Sequence, residues 1–200
     1  MSRSIPAERA PSLPALTSLR TALVMILLCG GVYPLTVTAL GNLLFPEQAT
    51  GSLLTDNGAV VGSKFAGQSF QSDHYLHGRP SAAGYDPFSA GGSNLAVSNP
   101  DLRERAEQAS QALQTRYNVL AKDIPVDMLT ASGSGLDPHI SPESAHLQAE
   151  RIAQARKMPV AEVHSLIEQH TEGPELWLFG QPRVHVLQFN LDLDARKSMQ

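Results

Sequence analysis

The chain has a single cysteine, Cys29, and it falls inside an uncharged run near the N-terminus. No disulfide can form within the rest of the protein, so stability there must come from packing. The same scarcity excludes a CxxC redox pair and the ligand spacing of a structural zinc site. Basic residues are few, 15 against 19 acids, and form no stripe suited to nucleic acid. Charge of either sign is absent from Thr21 to Pro46.

That uncharged run, TALVMILLCGGVYPLTVTALGNLLFP, exceeds the roughly 20 residues needed to cross a bilayer. Three arginines and one acid precede it, a net of +2, and the remainder of the chain carries a net of −6. This asymmetry predicts a cytoplasmic tail over residues 1–18, a membrane helix over 19–45 and an extracytoplasmic domain over 46–200. A cleaved signal peptide ending at Val37-Thr38-Ala39 is the competing reading, but signal h-regions run only about 7–15 residues, which favours an anchor. Gly30, Pro34, Thr38 and Gly41 recur at spacings of 4, 4 and 3, so they share one face where a second membrane helix could approach closely.

Residues 1–15, rich in Pro, Ser and Ala, read as unstructured. Asp56-Asn57-Gly58, between short apolar segments at Ser52–Leu54 and Ala59–Val61, predicts a hairpin. Residues 71–99 have many Gly, Pro, Ser and Asn and read as a long loop. Asn99-Pro100-Asp101 and Ser141-Pro142-Glu143 each combine a capping side chain, proline and an acid, the start signal of a helix. The first helix has the apolar stripe Leu102, Ala106, Ala109, Leu113 and Tyr117; the second, running to about Lys157, has the inner face Ala145, Ala149, Ile152, Ala153 and Arg156. A third is predicted from Pro159 to about His170, with Val160, Val163 and Ile167 in line. The alternation from Val184 to Leu191 predicts a closing strand whose inner set includes Val184, Val186, Phe189 and Leu191. The expected fold is α+β: one transmembrane helix, then a small, mainly antiparallel sheet with about three helices.

Seven histidines among many serines and acids raise the possibility of an anchored hydrolase using Ser134 and His139, with Asp137 as third member. These residues lie close together in sequence, and Ser132-Gly133-Ser134-Gly135 lacks the G-x-S-x-G elbow, so a tight structural turn is the simpler reading. Asp73, His74 and His77 offer no fourth metal ligand, and Gly62-Ser63-Lys64 inverts the phosphate-loop order. Gly91-Gly92-Ser93-Asn94 reads as a turn more readily than as an anion nest. No catalytic, cofactor or metal set is assigned. Ordered loops on an anchored domain instead suggest a surface for a protein partner.

Five of these segments also carry a resemblance. GSKFAGQSF (Gly62 to Phe70), YLHGRPSA (Tyr75 to Ala82), GGSNLAVSNPDL (Gly91 to Leu102), TASGSGLDPHISPESA (Thr130 to Ala145) and GQPRVHVLQFNLDLD (Gly180 to Asp194), with GGVYPL in the membrane run, resemble the C subunit of the Kdp-type potassium-transporting ATPase in order and spacing. The resemblance implies a single-span accessory subunit of a bacterial inner-membrane importer, working beside a P-type ATPase subunit, a potassium-channel-like subunit and a small single-span subunit. It further implies a role in assembly and in raising the ATPase subunit's affinity for ATP, with ATP and Mg acting at that partner. By this resemblance Gly67, Gln68, Arg79, Pro80, Ser93, Asn94, Ser134, Gly135, Asp137 and His139, together with Gly30, Pro34, Thr38 and Gly41, are candidates for the partner interface. Ala66, Ala90 and Gln188-Phe189 depart from the family pattern. A domain outside the cytoplasm could not touch ATP, so its effect on nucleotide affinity would have to be indirect.

Overall fold

The computed structural model describes residues 15–197 and divides into two units, Met1–Thr50 and Gly51–Gln200. The expectation for the N-terminal tail falls mostly on residues 1–14, outside the described residues; Ala15 is already helical.

The first unit is one continuous helix of 30 residues, Ala15–Leu44, long and apolar enough to cross a membrane. It comprises α1 (Ala15–Leu27), a wide π turn (Leu28–Val32) and α2 (Tyr33–Leu44), followed by the short α3 (Pro46–Ala49). The π turn has a local cause. Pro34 has no N–H to donate and its ring would crowd the carbonyl one turn earlier, so the helix widens just ahead of it. Within the turn the Tyr33 N–H reaches back five residues to the Leu28 carbonyl. Two polar side chains in the run bond back to their own helix, Thr36 Oγ1 to the Val32 carbonyl (2.7 Å) and Asn42 Nδ2 to the Thr38 carbonyl (2.8 Å).

The second unit is α+β. The antiparallel strands β1 (Leu53–Asp56) and β2 (Ala59–Ser63) turn at Asn57-Gly58, both with positive φ, as the sequence predicts. A second antiparallel sheet has the order β3-β5-β4, with β3 at His139–Ile140, β4 at Thr171–Glu172 and β5 at Arg183–His185. Four longer helices accompany it: α4 (Pro100–Tyr117), α6 (Pro142–Arg156), α7 (Val160–Gln169) and α8 (Val186–Lys197), with a single turn α5 at Val126–Leu129.

The two Pro-acid start signals hold in detail. Asn99 caps α4 through the Asp101 N–H, and Ser141 caps α6 through the Ser144 N–H. The small face of α6 (Ala145, Ala149, Ile152, Ala153) is buried against Val163, Leu166 and Ile167 of α7 and Phe189 and Leu193 of α8. Small residues on α6 let α7 pack closely, and the larger side chains opposite fill the space. The expected stripe of α4 is only half-buried throughout.

Two expectations fail. Val160 stands 40% exposed, and Leu166 takes the inward place on α7. The closing strand ends at His185, and Val186–Lys197 is helical. Val186, Phe189, Asn190 and Leu193 are spaced i, i+3, i+4, i+7, and all four are buried, whereas Leu191, assigned inward on a strand, is half-buried. The helical period wins because α8 packs one face against α6 and α7.

Between α6 and α8 runs the loop segment about Leu76, itself fully buried. It lies outside both sheets, and two amide side chains take the place of neighbouring strands. Asn190 Oδ1 accepts the Leu76 N–H (2.8 Å) while its Nδ2 donates to the Leu76 carbonyl (3.0 Å). Gln148 does the same for His77, at 2.9 and 3.1 Å. Both amides are buried, and their hydrogen bonds satisfy the backbone groups of buried Leu76 and half-buried His77.

Candidate functional site

The loops singled out in the sequence lace together. The Gly67 N–H donates to the Leu136 carbonyl (2.7 Å), the Ser132 N–H to the Pro80 carbonyl (3.0 Å), and the Gly91 N–H to the Ser134 carbonyl (2.7 Å). Ser81 Oγ donates to the Gly135 carbonyl (2.7 Å) and accepts the Tyr85 N–H, while the Tyr85 hydroxyl closes back onto the Arg79 carbonyl (2.5 Å). Burial raises the Tyr85 pKa, with the Asp137 carboxylate acting in the same direction, so the hydroxyl stays protonated and able to donate. Gln68 Nε2 binds the Val61 carbonyl (2.8 Å) and fastens the same region to β2.

Asp137 is the hub. Its Oδ2 accepts Arg79 Nη1 at 3.0 Å, and its Oδ1 accepts the His139 N–H at 3.0 Å. Arg79 also reaches Thr130 Oγ1 at 3.4 Å. The His139 ring meets His185 edge to face, with centroids 5.1 Å apart. His185 uses both nitrogens: Nε2 donates to the Lys64 carbonyl (2.8 Å) and Nδ1 accepts the Gln188 N–H, which fits a neutral ring. Burial lowers the pKa of both histidines, outweighing the opposite pull of Asp137 and Glu172 at His139 and of the Lys64 carbonyl bond and Glu172 at His185.

A histidine whose folded pKa lies below its unfolded value takes up protons on unfolding, so its contribution to stability is complete above about pH 6.5 and is lost as pH falls below that. Acidifying the full chain from pH 7.5 to 5 is therefore expected to lower its melting temperature, and His185→Gln to flatten that dependence. Melting curves across pH, followed by circular dichroism, check this; a pH-independent midpoint would count against it.

An open cleft of about 730 Å³ lies beside this cluster, lined by Arg79, Asp127, Asp137, His139 and Arg183 among others. Asp127 accepts the Ser141 N–H, Ser141 Oγ and Ser144 Oγ, which ties α5 to the start of α6. The Nε atoms of Arg79 and Arg183 are buried without a hydrogen-bond partner among the described residues.

The structure thus brings together Gly67, Arg79, Pro80, Ser134, Gly135, Asp137 and His139. Ser93 and Asn94 make no side-chain hydrogen bond among the described residues, and Asn94 has positive φ. Gly30, Pro34, Thr38 and Gly41 belong to the other unit; Gly30 sits in the π turn, and open space surrounds both glycines. The hydrolase geometry does not form: Ser134 Oγ accepts the Leu136 N–H and His139 packs on His185, with no bond joining Ser134 to His139 among the described residues. Asp73 pairs with Arg116 and Arg151 instead of a metal set, and no group of three metal-ligating side chains occurs among the described residues. Sequence reasoning missed Asn190, Gln148 and His185. Two of them could have been found as the polar members of helical faces otherwise apolar.

The family described as K+-transporting ATPase, c chain, matches residues 15–195. Similar proteins include the "Potassium-transporting ATPase KdpC subunit" of Shewanella putrefaciens, 51% identical over 180 residues, covering 90% of each chain. The protein of the same description from Beijerinckia indica is 48% identical over 189 residues, 94% of each chain. That of Koribacter versatilis is 44% identical over 186 residues, 92% of this chain and 95% of its own.

Proposed function

Because the chain belongs to the family of the K+-transporting ATPase c chain, we propose that it is the non-catalytic accessory subunit of a high-affinity, ATP-driven potassium importer in a bacterial inner membrane. In this reading Ala15–Leu44 is a single-pass anchor, the N-terminus is cytoplasmic, and residues 46–200 form a periplasmic domain. The observation that carries it is the extent of the likeness, which runs through the anchor and the domain alike. The charge asymmetry across the anchor supports the sidedness.

The partners are a P-type ATPase subunit, where ATP and Mg act, a potassium-channel-like subunit and a small single-span subunit. The laced loops and the cleft beside them support a role in binding a protein. Arg79, Asp127, Asp137, His139 and Arg183 give that cleft charged groups of both signs, which suit polar contacts with a protein surface. A rise in the ATPase subunit's affinity for ATP then comes indirectly, by this chain binding one of two conformations of the complex more tightly. Gly30, Pro34, Thr38 and Gly41 present a small-residue face for a partner helix in the membrane.

The full chain is expected to co-purify with the large ATPase subunit from mild detergent, and a chain lacking residues 1–46 to lose that association and the transport it supports. Normal potassium uptake with the truncated chain would sink the reading.

A further inference from the structure

Between β4 and β5, Leu176, Trp177, Leu178 and Phe179 stand 82, 97, 75 and 61% exposed in succession. Trp177 is the chain's one tryptophan. A soluble surface rarely leaves four consecutive large apolar side chains in water without a use for them. This tip is also firmly shaped. Glu175 and Phe179 exchange both backbone hydrogen bonds (2.8 and 2.9 Å), and the Leu178 N–H adds a third to the Glu175 carbonyl. Leu176 and Trp177 both have positive φ, a conformation that bulky residues rarely adopt and that holds their side chains on a tight turn. At the root, Arg183 binds Glu172 (3.0 Å) and Glu175 (3.3 Å) together.

The geometry points to Leu176–Phe179 as a docking tip that seats in an apolar socket with a basic rim on a protein partner. Charge decides between protein and lipid. From Thr171 to Pro182 there is no lysine or arginine, and two glutamates share the single Arg183, leaving one negative charge at the root. Segments that dip into a bilayer surface carry basic residues toward anionic headgroups, whereas this root would be repelled by them. A preformed tip with an exposed tryptophan has the character of an interface hot spot, where binding energy concentrates in an aromatic anchor surrounded by water-excluding contacts. The root is also continuous with the cleft described above, since Arg183 lines both.

This inference rests on the proposed role as a complex subunit, and the test separates the two. The full chain is purified with its partner subunits, and hydroxyl-radical oxidation of Trp177 is read by mass spectrometry. At least a tenfold slower oxidation in the complex than in the chain alone, in the same detergent, is expected. Trp177→Ser with Phe179→Ser should reduce co-purification to a tenth or less while leaving the chain's own melting temperature unchanged, since neither side chain is in the core. Wild-type co-purification with Trp177 equally oxidised overturns the docking tip and leaves the subunit assignment standing; absence of wild-type co-purification overturns both. Protection of Trp177 when the chain alone is placed in phosphatidylethanolamine–phosphatidylglycerol vesicles would overturn the socket in favour of the bilayer.

Discussion

Asn190→Ala is expected to destabilise the domain by about 3 kcal/mol, because it strands a donor and an acceptor at once. The Leu76 N–H and carbonyl are both held by the Asn190 amide, and Leu76 and Asn190 are buried at 0 and 2% exposure. Each backbone group left without a partner costs about 1–3 kcal/mol, and the alanine also leaves a void. For a unit of this size the loss corresponds to a fall of about 10 °C in melting temperature. Gln148→Ala acts on the adjacent residue, His77, in the same way. The double variant should lose less than the sum of the two, because once the segment loosens at one residue water reaches its neighbour. Thermal melts of the four chains in one detergent check both points. A fall below about 3 °C for Asn190→Ala would show that the segment relaxes to find other partners.

Gly135→Ala should cost about 4 kcal/mol, though the change is a single methyl group. Gly135 has φ of +70°, where a residue with a Cβ is strained by about 1–2 kcal/mol. The added carbon would also stand 2.8 Å from the Gly91 carbonyl oxygen and 2.7 Å from Ala83 Cβ. Neither neighbour is a flexible side-chain end, so the turn must move and take with it the bonds to Ser81 and Gly91. The Arg79–Asp137 pair stands two residues further on, so partner binding should weaken along with stability. Co-purification after expression at reduced temperature, where the variant remains folded, separates the two losses. A variant that melts with the wild type would show that the turn tolerates a Cβ at Gly135 and is not rigid.

How far the fold could be read in advance depended on how local its causes are. The hairpin at Asn57-Gly58 and the starts of α4 and α6 are written in two or three adjacent residues each, and the structure follows them. The long apolar helix was legible from composition alone, but the π turn needed the steric effect of Pro34 to be worked through. The closing segment was misread because Val184 to Leu191 fits either period over so short a window; the buried Leu193, beyond the strand assigned, is what makes it helical. The site was half legible. Gly, Pro and Ser marked the loops, yet which loop binds which depends on long-range bonds such as Gly67 to Leu136 and Ser132 to Pro80. The partners of Leu76 and His77 sit 114 and 71 residues away, beyond any local pattern.

That separation bears on how the protein is made. The backbone at Leu76 is closed by α8, which leaves the ribosome after every other element described, and α6 and α7 bury their inner faces against that same helix. Until Asn190 emerges, the segment ahead of it has no amide to pair with and no completed core to enter. The apolar helix, complete by Leu44, is synthesised long before that point. The long apolar helix is therefore free to engage its surroundings while most of the chain is still unfolded.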